Sequence, residues 1–392
     1  MNSFRNTTMK KTGFLLTAVL ALAAAFVSCG GGGGNNGGGI NNAPIVHAVG
    51  YENNSQGIRI AKYWNNRGEN QSLSNGQYDS EARGLFVADN GDVYASGYER
   101  RSTGDIIKVW KNGALLYNLT DGTTRASVTS FGIYVTPGGA VYVAAGVYDS
   151  QGGISRAKLW KDSVEQQYES NGRSSAFYSV CVADNGDVYV SGDELEYTPH
   201  APSGYSLGME VAKVWRNGAV LHRVNTNIAG LIGTIPYSVS VSGGNVYTAG
   251  AEYYYDFRQN SSGQWGFVNL GSIAKYWRNG VSQNLNLAGT GDSEAQSVHA
   301  SGNDVCVAIY EYNSSGVEIA KYWKNGVLTN LGDGSLRTTA LDIYGHRGNV
   351  YVVGGEVNPQ TGYYVAKYWM NGQPHTISSG SYFALARRIV VK

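Results

Sequence analysis

Charge, cysteine and histidine are all scarce in this sequence, and each shortage closes a class of function. Charged side chains make up 15 % of 392 residues, 30 basic against 29 acidic. No net field of either sign therefore draws the chain to nucleic acid or to an anionic bilayer surface. Only Cys29, Cys181 and Cys306 carry thiols. The two internal ones lie in apolar patterns (SVCVAD and DVCVAI) that fall in non-adjacent repeat units, so a bond between them is not expected and both read as buried free thiols. The six histidines are scattered, and no Cys/His cluster has zinc-ligand spacing. Nucleophile elbow and P-loop are missing, and the Asp-Asn-Gly-Asp runs at Asp89 and Asp184 are hairpin turns too short for a calcium loop. Neither a metal nor a cofactor is expected.

Glycine and tyrosine are plentiful instead. There are 54 glycines, and tyrosine outnumbers phenylalanine 29 to 9. Many short turns with half-exposed aromatic positions fit an all-β protein outside the cytoplasm, and no convincing amphipathic helix competes.

The N-terminus reads as a processing signal. Lys10 and Lys11 precede an apolar run from Gly13 to Val27, and Ser28-Cys29 closes it, with Met9 the cleaner start. This stretch resembles a bacterial lipoprotein signal, in which the cysteine is acylated and becomes the mature N-terminus, although Phe26 and Ser28 depart from the common Leu-x-(Ala/Gly)-Cys pattern. An uncleaved anchor or ordinary secretory signal is the alternative. Gly30 to Gly39 contains only glycine and asparagine, which makes a flexible tether rather than a core and favours lipid attachment at Cys29. The division is then 1–28 signal, 29–42 tether and 43–392 folded body.

The body is a repeat. Trp64, Trp110, Trp160, Trp215, Trp277, Trp323 and Trp369 each close a motif such as IAKYWRNG (from Ile273), VAKVWRNG (from Val211) or IAKYWKNG (from Ile319). The spacing is in the range of propeller blades. A second motif precedes each tryptophan, for example DVYASGYE from Asp92 and NVYVVGGE from Asn349. A third precedes that, for example ARGLFV from Ala82 and SFGIYV from Ser130. Each reads as a strand rich in β-formers. Asn-Gly and Gly-Gly pairs such as Asn90-Gly91, Gly243-Gly244 and Asn279-Gly280 suit the tight hairpin turns between them.

Four antiparallel strands per unit and seven units predict a seven-bladed β-propeller. The ends agree with this. PIVHAVGYE from Pro44 is a second-strand motif without a first, and ARRIVV from Ala386 is a first-strand motif with nothing after it. Pairing the C-terminal strand with the N-terminal three closes the ring and removes exposed edges. The Asn-Gly and Gly-Gly turns then share one face, and the second-to-third-strand loops share the other with the blade connections. Length varies in those second-to-third loops, where binding usually sits.

The recurrent Lys-x-Trp (Lys62, Lys108, Lys158, Lys213, Lys275, Lys321, Lys367) puts a lysine stem beside its tryptophan, with the ammonium near the ring or near Glu52, Glu99, Glu252, Glu311 or Glu356 on the paired strand. Seven copies argue for a packing device. Two insertions are sharper candidates, Glu194 to Gly208 and Glu252 to Gly271. The second holds Tyr253, Tyr254, Tyr255, Phe257, Trp265 and Phe267, a candidate ligand-binding surface because large aromatic rings with few rotors dominate contact sites. The competing reading is that the segment folds back and buries its own rings or caps the channel. Glu194, Glu196, Asp256 and His200 lie in the same insertions, and a carboxylate pair there could run glycoside chemistry if a pocket held it at the right separation.

Across nearly all of the body, the repeats resemble those of bacterial lipoproteins whose propeller blades carry a Tyr-Trp-Lys-Asn-Gly turn motif. The turns Lys161-Asp162-Ser163 and Asn65-Asn66-Arg67-Gly68 depart from it. The resemblance implies the fold and a cell-envelope location, not an activity. The expectation is a monomeric, lipid-anchored envelope protein that binds a protein or glycan through the face bearing the long loops, exposed at the cell surface. A propeller-type polysaccharide hydrolase or lyase, or a structural envelope component, stays open beside it.

Overall fold

The computed structural model describes residues 43–122, 126–149, 152–197, 207–224, 231–283, 285, 287 and 292–392. They form seven four-stranded antiparallel sheets. The first blade joins both ends of the chain: β1 (Val46–Asn53), β2 (Arg59–Asn65) and β3 (Asn70–Ser72) are completed by the last strand, Ala384–Val391. The second is β4 (Ser80–Val87), β5 (Val93–Arg100), β6 (Asp105–Lys111) and β7 (Ala114–Asn118). The third is β8 (Ala126–Val135), β9 (Val141–Asp149), β10 (Ile154–Lys161) and β11 (Val164–Glu165). The fourth is β12 (Ser175–Val182), β13 (Val188–Tyr197), β14 (Gly208–Arg216) and β15 (Ala219–Arg223). The fifth is β16 (Ile232–Ser242), β17 (Asn245–Gln259), β18 (Trp265–Arg278) and β19 (Val281–Gln283). The sixth is β20 (Ser293–Ser301), β21 (Asp304–Tyr312), β22 (Glu318–Lys324) and β23 (Val327–Asn330). The seventh is β24 (Thr338–His346), β25 (Asn349–Val357), β26 (Tyr364–Met370) and β27 (Gln373–Thr376), and β28 (Ala384–Val391) returns to the first. The expected seven-bladed propeller and its closing strand are both present.

The repeated residues account for the blade. Asn112 and Gly113 both have positive φ (50° and 80°), as the mirror-image turn between third and fourth strands requires. The Asn112 side chain also accepts a hydrogen bond from the Val93 amide at 2.8 Å and donates to Asp92 at 2.7 Å. Asn217, Asn279, Asn325 and Asn371 accept from Val188, Val246, Val305 and Val350 in the same way. The motif asparagine thus ties the turn to the start of the second strand. Where the third blade departs, Asp162 accepts from Val141 in its place and Ser163 takes the glycine position at φ 68°.

The lysines take the glutamate option. Lys108, Lys213, Lys275 and Lys367 lie 2.7, 2.6, 3.2 and 2.5 Å from Glu99, Glu194, Glu252 and Glu356. Lys321 pairs with Glu311, and Lys158, whose blade has no second-strand glutamate, reaches Glu165 on its fourth strand instead. All seven repeat tryptophans are buried between sheets. The feature is a packing device.

Every first strand carries a bulge where it pairs with the second. The extra residue bends the strand and brings its carbonyl against the neighbour. A Cβ on Gly97 would stand 2.0 Å from the Glu81 carbonyl oxygen, and one on Gly50 would stand 2.0 Å from that of Leu385. This is the physical reason for glycine in the GYE segments of β1 and β5.

Cys306 is a buried free thiol as expected. Cys181 is fully buried as well. The expected lipid site, Cys29, lies outside the described residues.

Candidate binding site

The fifth blade departs from the others in strand length. β17 and β18 have 15 and 14 residues, against eight and seven for β5 and β6. At about 3.3 Å per residue the seven extra positions carry the hairpin roughly 20 Å further. The segment from Glu252 to Gly271, expected as an irregular loop, is therefore largely an extension of the two strands. Its alternation is the cause: Tyr253, Tyr255 and Phe257 recur at period two opposite Phe267 and Trp265, and such residues favour a pleated strand. Phe257 faces Phe267 across the ladder, and Gln259 faces Trp265.

The tip is held by Asn260, whose side-chain oxygen accepts from the Ser262 and Gln264 amides at 2.9 and 3.0 Å while its carbonyl accepts from Gly263. Leu270 is bulged out between the Tyr254–Gly271 and Tyr255–Asn269 pairs and is exposed, which twists the extension away from the blade.

Five of the six expected aromatics share one face. Trp265 stacks on Phe257 with ring centres 5.4 Å apart and planes 17° from parallel. Phe267 meets Phe257 edge-on at 5.1 Å and Tyr255 at 5.8 Å. The row becomes more buried toward its base. Trp265 at the tip is 40 % exposed and Tyr253 at the root is 8 % exposed. Tyr254 is the exception: it points to the other face and donates its hydroxyl to Glu252 at 2.8 Å.

The root of the row rests on a network that the sequence reading missed. The Tyr253 and Tyr237 hydroxyls are hydrogen-bonded to each other. Glu294 accepts a hydrogen bond from Gln296 at 2.9 Å beside Tyr310, Tyr253 and Tyr237, and burial holds its carboxyl above the ordinary range. The same burial raises all three tyrosines well above theirs. Alongside, burial pushes the Asp193 carboxyl up to about 8 and raises Glu210, which sits between the fourth blade and the ring of Tyr255. Such groups could exchange protons, but Tyr237, Tyr310 and Glu294 are 0, 6 and 8 % exposed. Closed to solvent, they anchor the hairpin rather than meet a substrate.

The acids singled out beforehand are committed elsewhere. Glu194 and Glu196 stand in β13 and both pair with Lys213, and Asp256 in β17 pairs with Arg258 at 3.5 Å. His200 lies outside the described residues. A cavity of about 170 Å³ between the first two blades, lined by Tyr63, Leu73, Trp110 and Gly113, belongs to the turn side and offers one carboxylate, Glu69. A second group missed from sequence, Arg59, Arg83 and Arg387 around Glu81, sits on the hairpin's face of the ring. A signal for both groups was present: Ser80-Glu81-Ala82 and Ser293-Glu294-Ala295 repeat one triplet, placing a glutamate inside an innermost strand of two blades.

No protein family and no curated protein matches the sequence. Solved structures do match. One is a polysaccharide lyase, an ulvan lyase bound to a GlcA–Rha3S saccharide, with a TM-score of 0.52, 10 % identity, and 88 % of this chain and 92 % of that one covered. Another is the β-propeller domain of the Trilobed protease from Pyrococcus furiosus, with a TM-score of 0.51, 8 % identity, and 87 % and 95 % covered. That domain is described as having an open velcro topology, whereas here the last strand completes the first blade. At these identities the likeness is one of fold.

Proposed function

We propose that this chain is a glycan-binding propeller of the bacterial cell envelope, tethered through lipid on Cys29, that holds its ligand on the aromatic face of the β17–β18 hairpin. The observation that carries the reading is the Phe257–Trp265 stack at the tip. A tryptophan left 40 % exposed on a strand extension with a pinned turn is costly to keep in water. A flat ring presented rigidly gives a sugar's C–H face a large contact area at small entropic cost. The sequence supports the tether: an apolar segment, Cys29 and a glycine-asparagine spacer stand in order ahead of the folded body.

The lyase reading has one observation in its favour, the Glu294–tyrosine network. Its burial argues against it, since a general base must come within hydrogen-bond reach of its substrate. The test is retention of the full-length chain on a glycan panel beside Trp265→Ala and Phe257→Ala. Glycan retention lost in both variants, with unfolding midpoints unchanged, supports the reading. Retention equal to the parent, or release of unsaturated sugar products, overturns it.

A further inference from the structure

We propose that Arg59, Arg83 and Arg387 form an anion subsite that takes the carboxylate or sulfate of an acidic glycan. The proposal rests on the glycan-binding reading above and adds the ligand's charge to it. Arg83 and Arg387 are the bulge residues of two adjacent innermost strands, β4 and β28, and Arg59 opens β2 immediately after a second-to-third-strand loop. All three therefore gather between the first two blades, toward the face from which the aromatic hairpin rises.

Their shared partner is Glu81, whose side chain is fully buried. Arg83 donates to its Oε2 at 3.0 Å, Arg387 Nε donates to its Oε1, and the Tyr98 hydroxyl donates to Oε2 at 3.1 Å. With these donors the carboxylate is satisfied, and the guanidiniums hold its pKa far below the usual range. Arg59 comes only to 3.7 Å. Among the described residues the Arg59 guanidinium has no hydrogen-bond partner, and Arg387 uses Nε alone.

One buried carboxylate does not need three guanidiniums. Asp79, which accepts the Arg59 backbone amide at 2.9 Å, is the other acid at the group, so three positive charges face two negative ones. The nearby Arg100 and Arg101 are paired with Asp105 and Glu99. The rings beneath fix the cations: Arg59 and Arg387 lie 5.5 and 5.8 Å from the centre of Tyr51, and Arg83 lies 5.2 Å from that of Tyr98. Arg59 and Arg387 are held over an aromatic ring with guanidinium N–H groups that no hydrogen bond among the described residues occupies, and such groups are preorganised for the two-oxygen edge of a carboxylate or sulfate. Arg59, with 32 % of its side chain exposed, is the member open to a ligand.

The experiment titrates the full-length protein with polygalacturonate, dextran sulfate and neutral dextran, comparing the parent with Arg59→Gln, Arg59→Lys and Arg67→Gln. Arg67 is exposed on the opposite, turn-bearing face, so its loss removes one charge without touching the subsite. Glu81 keeps Arg83 and Arg387 in every variant, and unfolding midpoints verify the fold. The expected result is that one polyanion binds in preference to dextran and that Arg59→Gln weakens it about tenfold, as loss of a charge-assisted contact should. Arg59→Lys should fall between, and Arg67→Gln should match the parent. The polymer affected, uronate or sulfate, identifies the group recognised. Equal weakening by Arg59→Gln and Arg67→Gln overturns the subsite in favour of general polyanion attraction. Parent binding of dextran as tight as of the polyanions overturns the subsite and leaves the hairpin reading standing, while no binding of any polymer sinks both.

Discussion

Lys213→Met should be the most damaging of the seven repeat-lysine substitutions, and the reason is its surroundings rather than its motif. Its ammonium lies 2.6 Å from Glu194 and 3.1 Å from Glu196, with 8 % of the lysine and 1 % of the Glu194 side chain exposed. Without the lysine, Glu194 keeps only the Asn171 amide at 3.1 Å among the described residues, whereas Glu196 retains Arg223 at 2.6 Å. Removing one partner of a buried ion pair strands the other, at a cost of about 3–5 kcal/mol. Lys62 provides the contrast: it is 3.7 Å from Glu52, which also accepts the Ser379 hydroxyl at 2.8 Å. Lys62→Met should cost about 1 kcal/mol or less. Urea unfolding of both variants, with Lys213→Met/Glu194→Leu as a third, measures the difference. The double variant should recover most of the loss, because replacing a buried pair by apolar groups is often neutral. Equal midpoints for Lys213→Met and Lys62→Met, or a double variant as unstable as the single, would refute the reasoning.

Three further outcomes follow from the same geometry. Asp193 is held near 8 by burial, so the folded state keeps a proton that the unfolded chain releases near pH 4. Stability should therefore fall as pH rises from about 4 to 8, and the thermal midpoint of Asp193→Asn should be flatter across that window. Ser163→Gly should stabilise the protein by about 0.5–1 kcal/mol, since relief of a left-handed serine exceeds the added unfolded-state entropy; an unchanged urea midpoint would count against the turn assignment. Gly97→Ala should cost about 2–3 kcal/mol, because its Cβ must displace the Glu81 carbonyl. The sixth blade holds Ile309 at the corresponding place, so the requirement belongs to the individual bulge.

The fold was legible because each blade repeats its own instructions. Asn112-Gly113 and its counterparts mark the turns, the tryptophans count the units, and the orphan first strand at Ala386 points to closure. The aromatic segment was legible as a candidate but not in form: the alternation of Tyr253, Tyr255 and Phe257 was present, while the length of the excursion suggested a loop. The Glu294 network and the Arg59–Arg83–Arg387 group were not found, because each is assembled across blades. Arg83 and Arg387 are more than 300 positions apart and share Glu81 only once the ring is closed. The first-strand bulges that place them also shift the register, and a strict two-residue period does not reveal that.

Tryptophan emission gives the most direct test of glycan binding at the hairpin, because Trp265 is exposed while the seven repeat tryptophans are at most 7 % exposed. A glycan that binds the parent should shift or quench that emission with saturation. Trp265→Phe should bind the same glycan calorimetrically with the optical change abolished, and Trp265→Ala should lose binding by about tenfold or more, as hot-spot truncations do. Full binding by Trp265→Ala, or an emission change that persists without Trp265, would contradict the account.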